Sequence, residues 1–163
     1  MANAKKKITM TREGYEELLR ELRWREGEER ERIKGDIVVA RGFGDLSENA
    51  EYDAARAAQS ENEARILQLK SDIENAEIHD ASKAEKGVVA IGATVKVRDA
   101  ATGAERSFRI VGTNEVDVPA GKISDLSPIG MALLDHRAGD TVTAVVETSG
   151  FSFTYEILEV TRD

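Results

Sequence analysis

The feature that most constrains this chain is a stretch without proline that runs from Thr11 to about Ala81. The stretch has few β-branched residues and is dense in Glu, Arg, Ala and Leu, which are strong helix formers. Proline inside a helix removes a backbone hydrogen bond and clashes with the preceding turn, so its absence leaves room for long helices. We therefore predict that this half of the chain is helical and that Thr11 caps the first helix.

The helical half carries two stripes of residues that can pack together. Residues three and four apart share one face of a helix, and the second stripe alternates these spacings without a break. Between the stripes, Gly42 and Gly44 provide the residues of a tight turn. We predict a long antiparallel α-helical coiled-coil hairpin, roughly 45 Å long at 1.5 Å per residue, with its tip near residues 42–48. The first stripe is Tyr15, Leu18, Leu22, Ile33, Ile37 and Ala40; the second is Tyr52, Ala55, Gln59, Asn62, Ile66, Leu69, Ile73 and Ala76.

Residues 83–87 form a polar hinge, after which the sequence pattern changes. Runs of β-branched residues with period two follow, and this pattern is typical of strands. We predict a C-terminal antiparallel β domain with one short helix, which follows Pro128 and stops near Gly139. The fold class is therefore α+β, with domain bounds 1–82 and 88–163. The predicted strands lie within residues 88–97, 107–112, 140–147 and 153–160, and the turns at 101–103, 114, 119–121 and 149–150.

Charge and composition exclude several functions. Asp and Glu number 31 against 23 Lys and Arg, a net charge of −8, so nucleic acid can be contacted only locally. The absence of cysteine excludes thiol chemistry, and two isolated histidines, His79 and His136, do not make a zinc site. The N-terminal lysines are not followed by an apolar segment, and no apolar run approaches the roughly 18 residues of a membrane span. We expect a soluble, cytoplasmic protein that does not bind membranes.

Four acids, Asp45, Glu48, Glu51 and Asp53, lie within nine residues at the predicted tip. Asp45 and Glu48 have the spacing of a capping box at the start of the second helix. The same two carboxylates could instead help to hold Mg²⁺, which accepts one or two carboxylates together with water and phosphate oxygens. The other ligands would then have to come from another molecule, because one carboxylate pair rarely makes a whole site. Spacing alone leaves both interpretations open.

The residues around these acids, GDLSENAEYDAAR at positions 44–56, resemble the tip motif of the Gre family of bacterial transcript cleavage and elongation factors. The resemblance is closer to the GreA-like members than to the GreB-like ones, and it covers the whole chain. Residues 8–22, ITMTREGYEELLREL, are similar to the opening helix of the family. Residues 121–140, GKISDLSPIGMALLDHRAGD, resemble its C-terminal signature, and residues 154–160, TYEILEV, its closing strand.

This resemblance implies a function. In the family, the coiled coil enters the secondary channel of a backtracked bacterial RNA polymerase, and an FKBP-like C-terminal domain holds the factor at the channel's rim. The polymerase's own active site then cleaves the nascent RNA 3′ end, which rescues the arrested complex. Carried over by position, Asp45 would coordinate a second Mg²⁺ and Glu48 would orient or deprotonate the attacking water. The protein itself would be a monomer and not an enzyme, and would bind no Mg²⁺ stably alone.

Further contacts are implied by the same resemblance. Arg41 and Arg56 stand where family members carry basic residues that attract the extruded RNA, although arginines on a charged helix also pair with neighbouring acids. Exposed residues that include Asp125 and Ser127, with Pro128, would meet the polymerase in a rim-contact loop. Pro128 equally suits the first position of a helix. The resemblance also implies DNA binding within the transcription complex.

Several residues near the tip have expected structural roles. Tyr52 lies on the second stripe and is expected to be core, and Asn49 is expected to form hydrogen bonds within the turn. Gly27 and Gly35 lie inside the first helix, where each costs about 1 kcal/mol relative to alanine, so we expect a less rigid or kinked arm. Phe43 either covers the turn or acts as a wedge.

Three other functions fit parts of the sequence. An inhibitor that only occupies the channel would be expected to lose or multiply the tip acids, whereas Asp45 and Glu48 are both present. A self-sufficient metal nuclease would need further ligands. A prolyl isomerase needs an aromatic-lined pocket, and the core is expected to take some of the aromatic residues that follow the hinge. These are Phe108, Phe151, Phe153 and Tyr155.

Overall fold

The structure is a computed structural model that describes residues 6–44 and 49–162. Its backbone contacts divide the chain into two compact units. The first, Glu16–Asn75, is named the helical unit. The second, named the sheet unit, combines the residues before Glu16 with Ala76–Asp163.

The first arm of helical structure consists of three segments without a break. These are α1 (Arg12–Trp24), a π-helical turn (Arg25–Glu29) and α2 (Arg30–Arg41). The second arm is one long helix, α3 (Ala50–Glu74). The predicted helices are therefore present, and Thr11 is the expected cap, because its Oγ1 accepts a hydrogen bond of 3.1 Å from the Gly14 N–H.

The two arms of the helical unit run antiparallel. Arg65 donates hydrogen bonds to Glu21 near one end, and Asn49 donates to the Ala40 carbonyl near the other. Residue numbers therefore rise along one arm as they fall along the other. Residues of both predicted stripes are shielded from solvent in this unit: Ile33, Ile37, Ala40, Ala55, Asn62, Ile66 and Leu69 are buried, and Leu18, Leu22, Tyr52, Gln59 and Ile73 are partly buried. The end residues of the stripes, Tyr15 and Ala76, belong to the sheet unit, and Ala76 lies in a strand and not in a helix.

The sequence does not predict a two-stranded parallel sheet that joins the beginning of the chain to the segment after α3. Strand β1 (Ile8–Thr11) pairs with β2 (Ala76–His79), so that Ile8 lies opposite Ala76 and Thr11 opposite His79. The expectation that helix continues to about Ala81 is therefore wrong. The second helix ends at Glu74 because the next residues form strand hydrogen bonds with β1.

The side chain of Glu115 fastens β1 to the rest of the sheet unit. Its Oε2 accepts hydrogen bonds from the Thr11 N–H at 2.9 Å and from the Gly112 N–H at 3.1 Å, and its Oε1 accepts one from the Thr11 hydroxyl. Gly112 has to be glycine, since a Cβ there would lie 1.9 Å from the Thr9 carbonyl oxygen. As a consequence, Thr9 and Thr11 belong to a different compact unit from most of α1, and the unit limits differ from the predicted domain bounds 1–82 and 88–163.

Five further strands form one sheet in the order β5-β4-β3-β7-β6. Most neighbours are antiparallel as predicted, but β4 and β5 are parallel. The connection from β4 to β5 contains two short 3₁₀ helices, Thr113–Glu115 and Val118–Ala120, and returns the chain so that β5 runs in the same direction as β4. The strands are β3 (Thr94–Asp99), β4 (Glu105–Val111), β5 (Lys122–Ser124), β6 (Thr141–Val145) and β7 (Ser152–Thr161).

The core of the sheet unit lies between this sheet and the predicted short helix, α4 (Pro128–Leu133), which ends at Leu133 and not near Gly139 as predicted. Phe108 and Tyr155 meet edge to face in this core, with ring centroids 5.9 Å apart. Phe151 and Phe153 are exposed. The core therefore takes two of the four aromatic residues that a prolyl-isomerase pocket would need. In the described residues, no helix is long and apolar enough to cross a membrane.

Candidate functional site

The first arm ends in a turn at the predicted position. α2 ends at Arg41, and the N–H of Gly42 bonds to the carbonyls of Val38 and Val39 at 3.3 and 3.0 Å. Gly44 has a φ of 96°, a left-handed conformation that glycine adopts at no steric cost. The residues that follow, 45–48, lie outside the described part of the chain.

Asn49 closes the turn from the other side. Its Oδ1 accepts hydrogen bonds from the N–H groups of Glu51 and Tyr52, both at 3.1 Å, and its Nδ2 donates to the Ala40 carbonyl at 2.6 Å. The expected structural role of Asn49 is confirmed. Asn49 is the N-cap of α3. The capping-box interpretation of Asp45 and Glu48 concerns residues outside the described part of the chain and stays a prediction.

The two acids of the tip motif, Asp45 and Glu48, lie outside the described residues. They belong to the four-residue segment that connects Gly44 to Asn49, the two ends of the turn described above. Among the described residues, no group of three or more His, Asp or Glu side chains could hold a metal ion. The chemistry of the two carboxylates fits Mg²⁺ as a partial ligand set, since both offer only hard oxygen donors.

Arg41 and Arg56 lie on either side of the turn, at the end of α2 and in the second turn of α3. Both are exposed. Within residues 6–44 and 49–162, no carboxylate forms an ion pair with either guanidinium. Both groups are therefore free of described acids such as Glu51, and each can present its donors to an anion.

Apolar residues surround this turn to a degree that the sequence did not predict. Val38, Val39 and Phe43 are all more than 60% exposed, with values of 63%, 62% and 64%. Tyr52, in contrast, packs against the small core of Ile33, Ile37 and Ala55, as expected of a residue on the second stripe. The residues that Phe43 is expected to cover lie outside the described part of the chain, so its role stays a prediction.

A network of ion pairs joins the arms away from the turn and was also missed. Arg65 donates to Glu21 through Nε and Nη2 at 2.8 and 2.9 Å, and Arg25 donates to Glu21 through Nε at 2.7 Å. Arg30 and Glu63 form a second two-bond pair at 2.8 and 2.9 Å. The hydrogen bonds from Arg65, and then those from Arg25, lower the pKa of Glu21 from 4.5 to about 2 against the opposing effect of burial.

The proposed rim-contact loop is less exposed than expected. Asp125 is only 7% exposed, so the expectation of an exposed carboxyl is wrong. Ser127 caps α4, because its hydroxyl accepts from the Gly130 N–H at 3.1 Å and donates to the Ser124 carbonyl at 2.6 Å. Pro128 is the first residue of α4, as its alternative interpretation required. The side chains that this loop and helix do expose are Leu126 and Met131.

Comparison with known proteins assigns the family. Residues 8–78 match the family model described as "Transcription elongation factor, N-terminal", and residues 84–162 match "Transcription elongation factor, GreA/GreB, C-term". The chain belongs to the GreA/GreB family of transcription elongation factors.

Within that family the chain is GreA-like. It is 47% identical over 154 residues to "Transcription elongation factor GreA" of Allorhizobium ampelinum, which covers 94% of this chain and 96% of the relative. The protein of the same name from Sinorhizobium medicae is 48% identical over 154 residues with the same coverage. Among solved structures, the GreA factor homolog 1 (Gfh1) protein of Thermus thermophilus is 27% identical, with 96% of this chain and 99% of that chain covered and a TM-score of 0.40.

Proposed function

We propose that this protein enters the secondary channel of a backtracked bacterial RNA polymerase and stimulates cleavage of the nascent RNA 3′ end by the polymerase itself. The observation that carries the proposal is the structure of the turn. Asn49 supplies the cap of α3, so the carboxylates of Asp45 and Glu48 are not needed for that purpose. An antiparallel pair of helices is a suitable carrier for such a segment, because the connection between the two helices lies at one end of the pair.

Asp45 and Glu48 have separate roles in this proposal. Asp45 would contribute one carboxylate to a second Mg²⁺ ion shared with the polymerase active site, and that ion would supply activation of the attacking water. Glu48 holds the attacking water by a hydrogen bond and accepts its proton. One carboxylate pair leaves most of the coordination to the polymerase, so the protein alone is not a nuclease.

Arg41 and Arg56 are proposed to bind phosphates of the extruded RNA. Both guanidinium groups are exposed, they flank the turn, and they are not paired with described acids. An arginine fork suits phosphate oxygens geometrically. Such a contact is local, which is compatible with a chain whose net charge is −8.

The sheet unit is proposed to be the FKBP-like domain that contacts the polymerase at the channel's rim. Asp125, Ser127 and Pro128 are proposed to act in this contact by shaping the loop, since Ser127 and Pro128 start α4 and Asp125 is buried. Leu126 and Met131 are exposed beside them and are proposed to make the direct contact.

The experiment that tests this function measures RNA release from a stalled, backtracked polymerase complex in Mg²⁺. We expect the wild-type protein to accelerate cleavage of the 3′ end. Asp45→Ala and Glu48→Ala should bind equally well but lower the cleavage rate by about 100-fold or more, as expected for loss of a metal ligand or general base. The matched control is Asp53→Ala, which removes an exposed acid from the first turn of α3 and should change nothing.

Two results would contradict the proposal. If the Asp45 and Glu48 variants cleave as fast as wild type, the acids are not delivered to the reaction. If the wild-type protein binds and only slows the polymerase, it is an inhibitor that occupies the channel.

A further inference from the structure

The π-helical turn at Arg25–Glu29 lies where the spacing of the first stripe changes. Tyr15, Leu18 and Leu22 follow one another at spacings of three and four residues. If this alternation continued unchanged, Arg32 and Asp36 would face the second arm. Both are instead exposed, with 57% and 56% of their side chains accessible, and they pair with each other at 2.9 Å.

The residues that do face the second arm come one position later. Ile33, Ile37 and Ala40 are buried, at 3%, 7% and 2% exposure. A π-helical turn closes its hydrogen bond over five residues instead of four and so takes up one extra residue. The turn around Gly27 is therefore the insertion that brings the distal half of the arm into phase with α3.

One side chain of the second arm holds this turn. Asn62 is 3% exposed, and its Nδ2 donates a 3.1 Å hydrogen bond to the backbone carbonyl of Arg25. Its Oδ1 accepts one of 3.1 Å from Nη1 of the same residue. Glu21 holds the other side of that guanidinium at 2.7 Å. Asn62 thus contacts both the backbone and the side chain of the first residue in the turn.

We propose that Asn62 is a positioning residue for the tip, because it fixes the extra residue at Arg25–Glu29. Without this contact the extra residue can move along the arm toward Arg41. Each residue that it passes rotates by about 100° about the helix axis, since an α-helix has 3.6 residues per turn. Ile33 and Ile37, which lie between the old and the new position of the extra residue, then turn away from α3. The end of the arm that leads to Asp45 and Glu48 is then no longer held against α3. This inference rests on the proposed function of that segment.

The first test compares cleavage of backtracked RNA by the wild type and by Asn62→Asp. The aspartate retains an acceptor for the Arg25 guanidinium but cannot donate to the Arg25 carbonyl. We expect the maximal cleavage rate to fall about tenfold, because small displacements of catalytic groups are costly. The concentration for half-maximal stimulation should stay within about twofold, since binding to the polymerase is unchanged.

Deletion of Gly27 provides the compensating change. It removes the extra residue, so an ordinary α-helical turn keeps both halves of the arm in phase with α3 and the contact of Asn62 is no longer needed. The double variant that combines this deletion with Asn62→Asp should therefore regain the wild-type rate. The matched control is Glu63→Gln, which weakens the nearby pair with Arg30 without touching the backbone of the turn, and should keep the wild-type rate.

The second test needs no polymerase. Amide hydrogen exchange of the free protein should be faster at residues 25–41 in Asn62→Asp than in the wild type, and deletion of Gly27 should reverse the change. Exchange at these residues that is no faster than in Glu63→Gln would overturn the inference, as would a cleavage defect that persists after deletion of Gly27. If the wild-type protein does not stimulate cleavage, the proposed function fails, and the exchange comparison still decides the role of Asn62.

Discussion

The side chain of Glu21 connects the two arms of the helical unit. Its carboxylate accepts hydrogen bonds from Arg25 on its own arm and from Arg65 on the other arm. The side chain is 30% accessible, so it is partly protected from solvent screening. Glu21 therefore stabilises the antiparallel arrangement only while it is ionised.

The first prediction concerns the pH dependence of this contribution. The pKa of Glu21 is lowered from 4.5 to about 2 in the folded protein, so its stabilisation is present above pH 4.5 and is lost as the pH falls through about 2. Glu21→Gln should lower the free energy of unfolding by about 2 kcal/mol at pH 7, a value typical of hydrogen bonds to charged groups. The difference from wild type should shrink steadily between pH 4.5 and pH 2 in urea titrations.

Glu17→Gln is the control for this measurement. Glu17 is an exposed acid of the same helix, at 4.0 Å from Arg20, and such surface pairs contribute little. A difference between Glu21→Gln and wild type that is independent of pH would show that the ion pairs do not stabilise the unit.

Single residues also show what the sequence can and cannot predict. Asn49 was predicted to bond within the turn and Tyr52 to pack in the core, because each follows from local spacing. The burial of Asp125 was not predictable, since it depends on a sheet whose strands are far apart in sequence. The sequence does not predict the ion pairs of Glu21 either, because many acids and arginines on these helices could form such pairs.

At the scale of elements, two glycines differ in whether the structure leaves room for a side chain. A Cβ at Gly35, in the middle of α2, would meet nothing within 4 Å. A Cβ at Gly112 would meet the Thr9 carbonyl oxygen and the Met10 Cα at 1.9 and 2.8 Å. Gly35 therefore lowers the stability of α2 without a structural need, whereas Gly112 is required because β1 passes close to its backbone.

The second prediction follows from this contrast. Gly35→Ala should raise the free energy of unfolding of the helical unit by about 1 kcal/mol, which is the difference in helix propensity. Gly112→Ala should lower the stability of the sheet unit by several kcal/mol, on the order of 3, because backbone atoms must move apart. Calorimetry of the two variants checks both signs. A stabilised Gly112→Ala protein would show that β1 does not pack closely there.

The sequence predicts some helices and strands of the fold and not others. The long helices and four strands of the larger sheet follow from spacing over many residues, and α4 follows from the position of Pro128. Strands β1 and β2 have four residues each and pair across 68 positions of sequence, from Ile8 to Ala76, so no local pattern reveals them. The π-helical turn had a sequence signal, the one-residue offset between the Leu22 and Ile33 parts of the first stripe, which indicates an insertion but not where it lies.

At the scale of the whole molecule, the sheet unit is built from both sides of the helical unit in the sequence. Its first part includes β1 and its second part begins with β2 at Ala76. The carboxylate of Glu115 joins these parts through Thr11 and Gly112. The integrity of this unit therefore depends on a few contacts of long sequence separation.

The third prediction tests that dependence. Glu115→Ala should lower the free energy of unfolding by about 2–4 kcal/mol, because the N–H groups of Thr11 and Gly112 lose a charged acceptor. Thr11→Ser, which keeps the hydroxyl, should lose less than about 1 kcal/mol. Glu147→Ala removes an exposed acid and serves as the control. Equal stability of Glu115→Ala and Glu147→Ala in chemical denaturation would contradict the role of Glu115.

The pairing of β1 with β2 also sets the order in which the protein can fold during synthesis. A ribosome releases β1 first, but its partner strand emerges only after the whole of α3, and β7 emerges last. The helical unit can close as soon as Asn75 has left the exit tunnel, since all contacts within this unit join residues between Glu16 and Asn75. The nascent chain can therefore close its helical hairpin just before β2 emerges and pairs with β1, whereas the strands of the larger sheet emerge later.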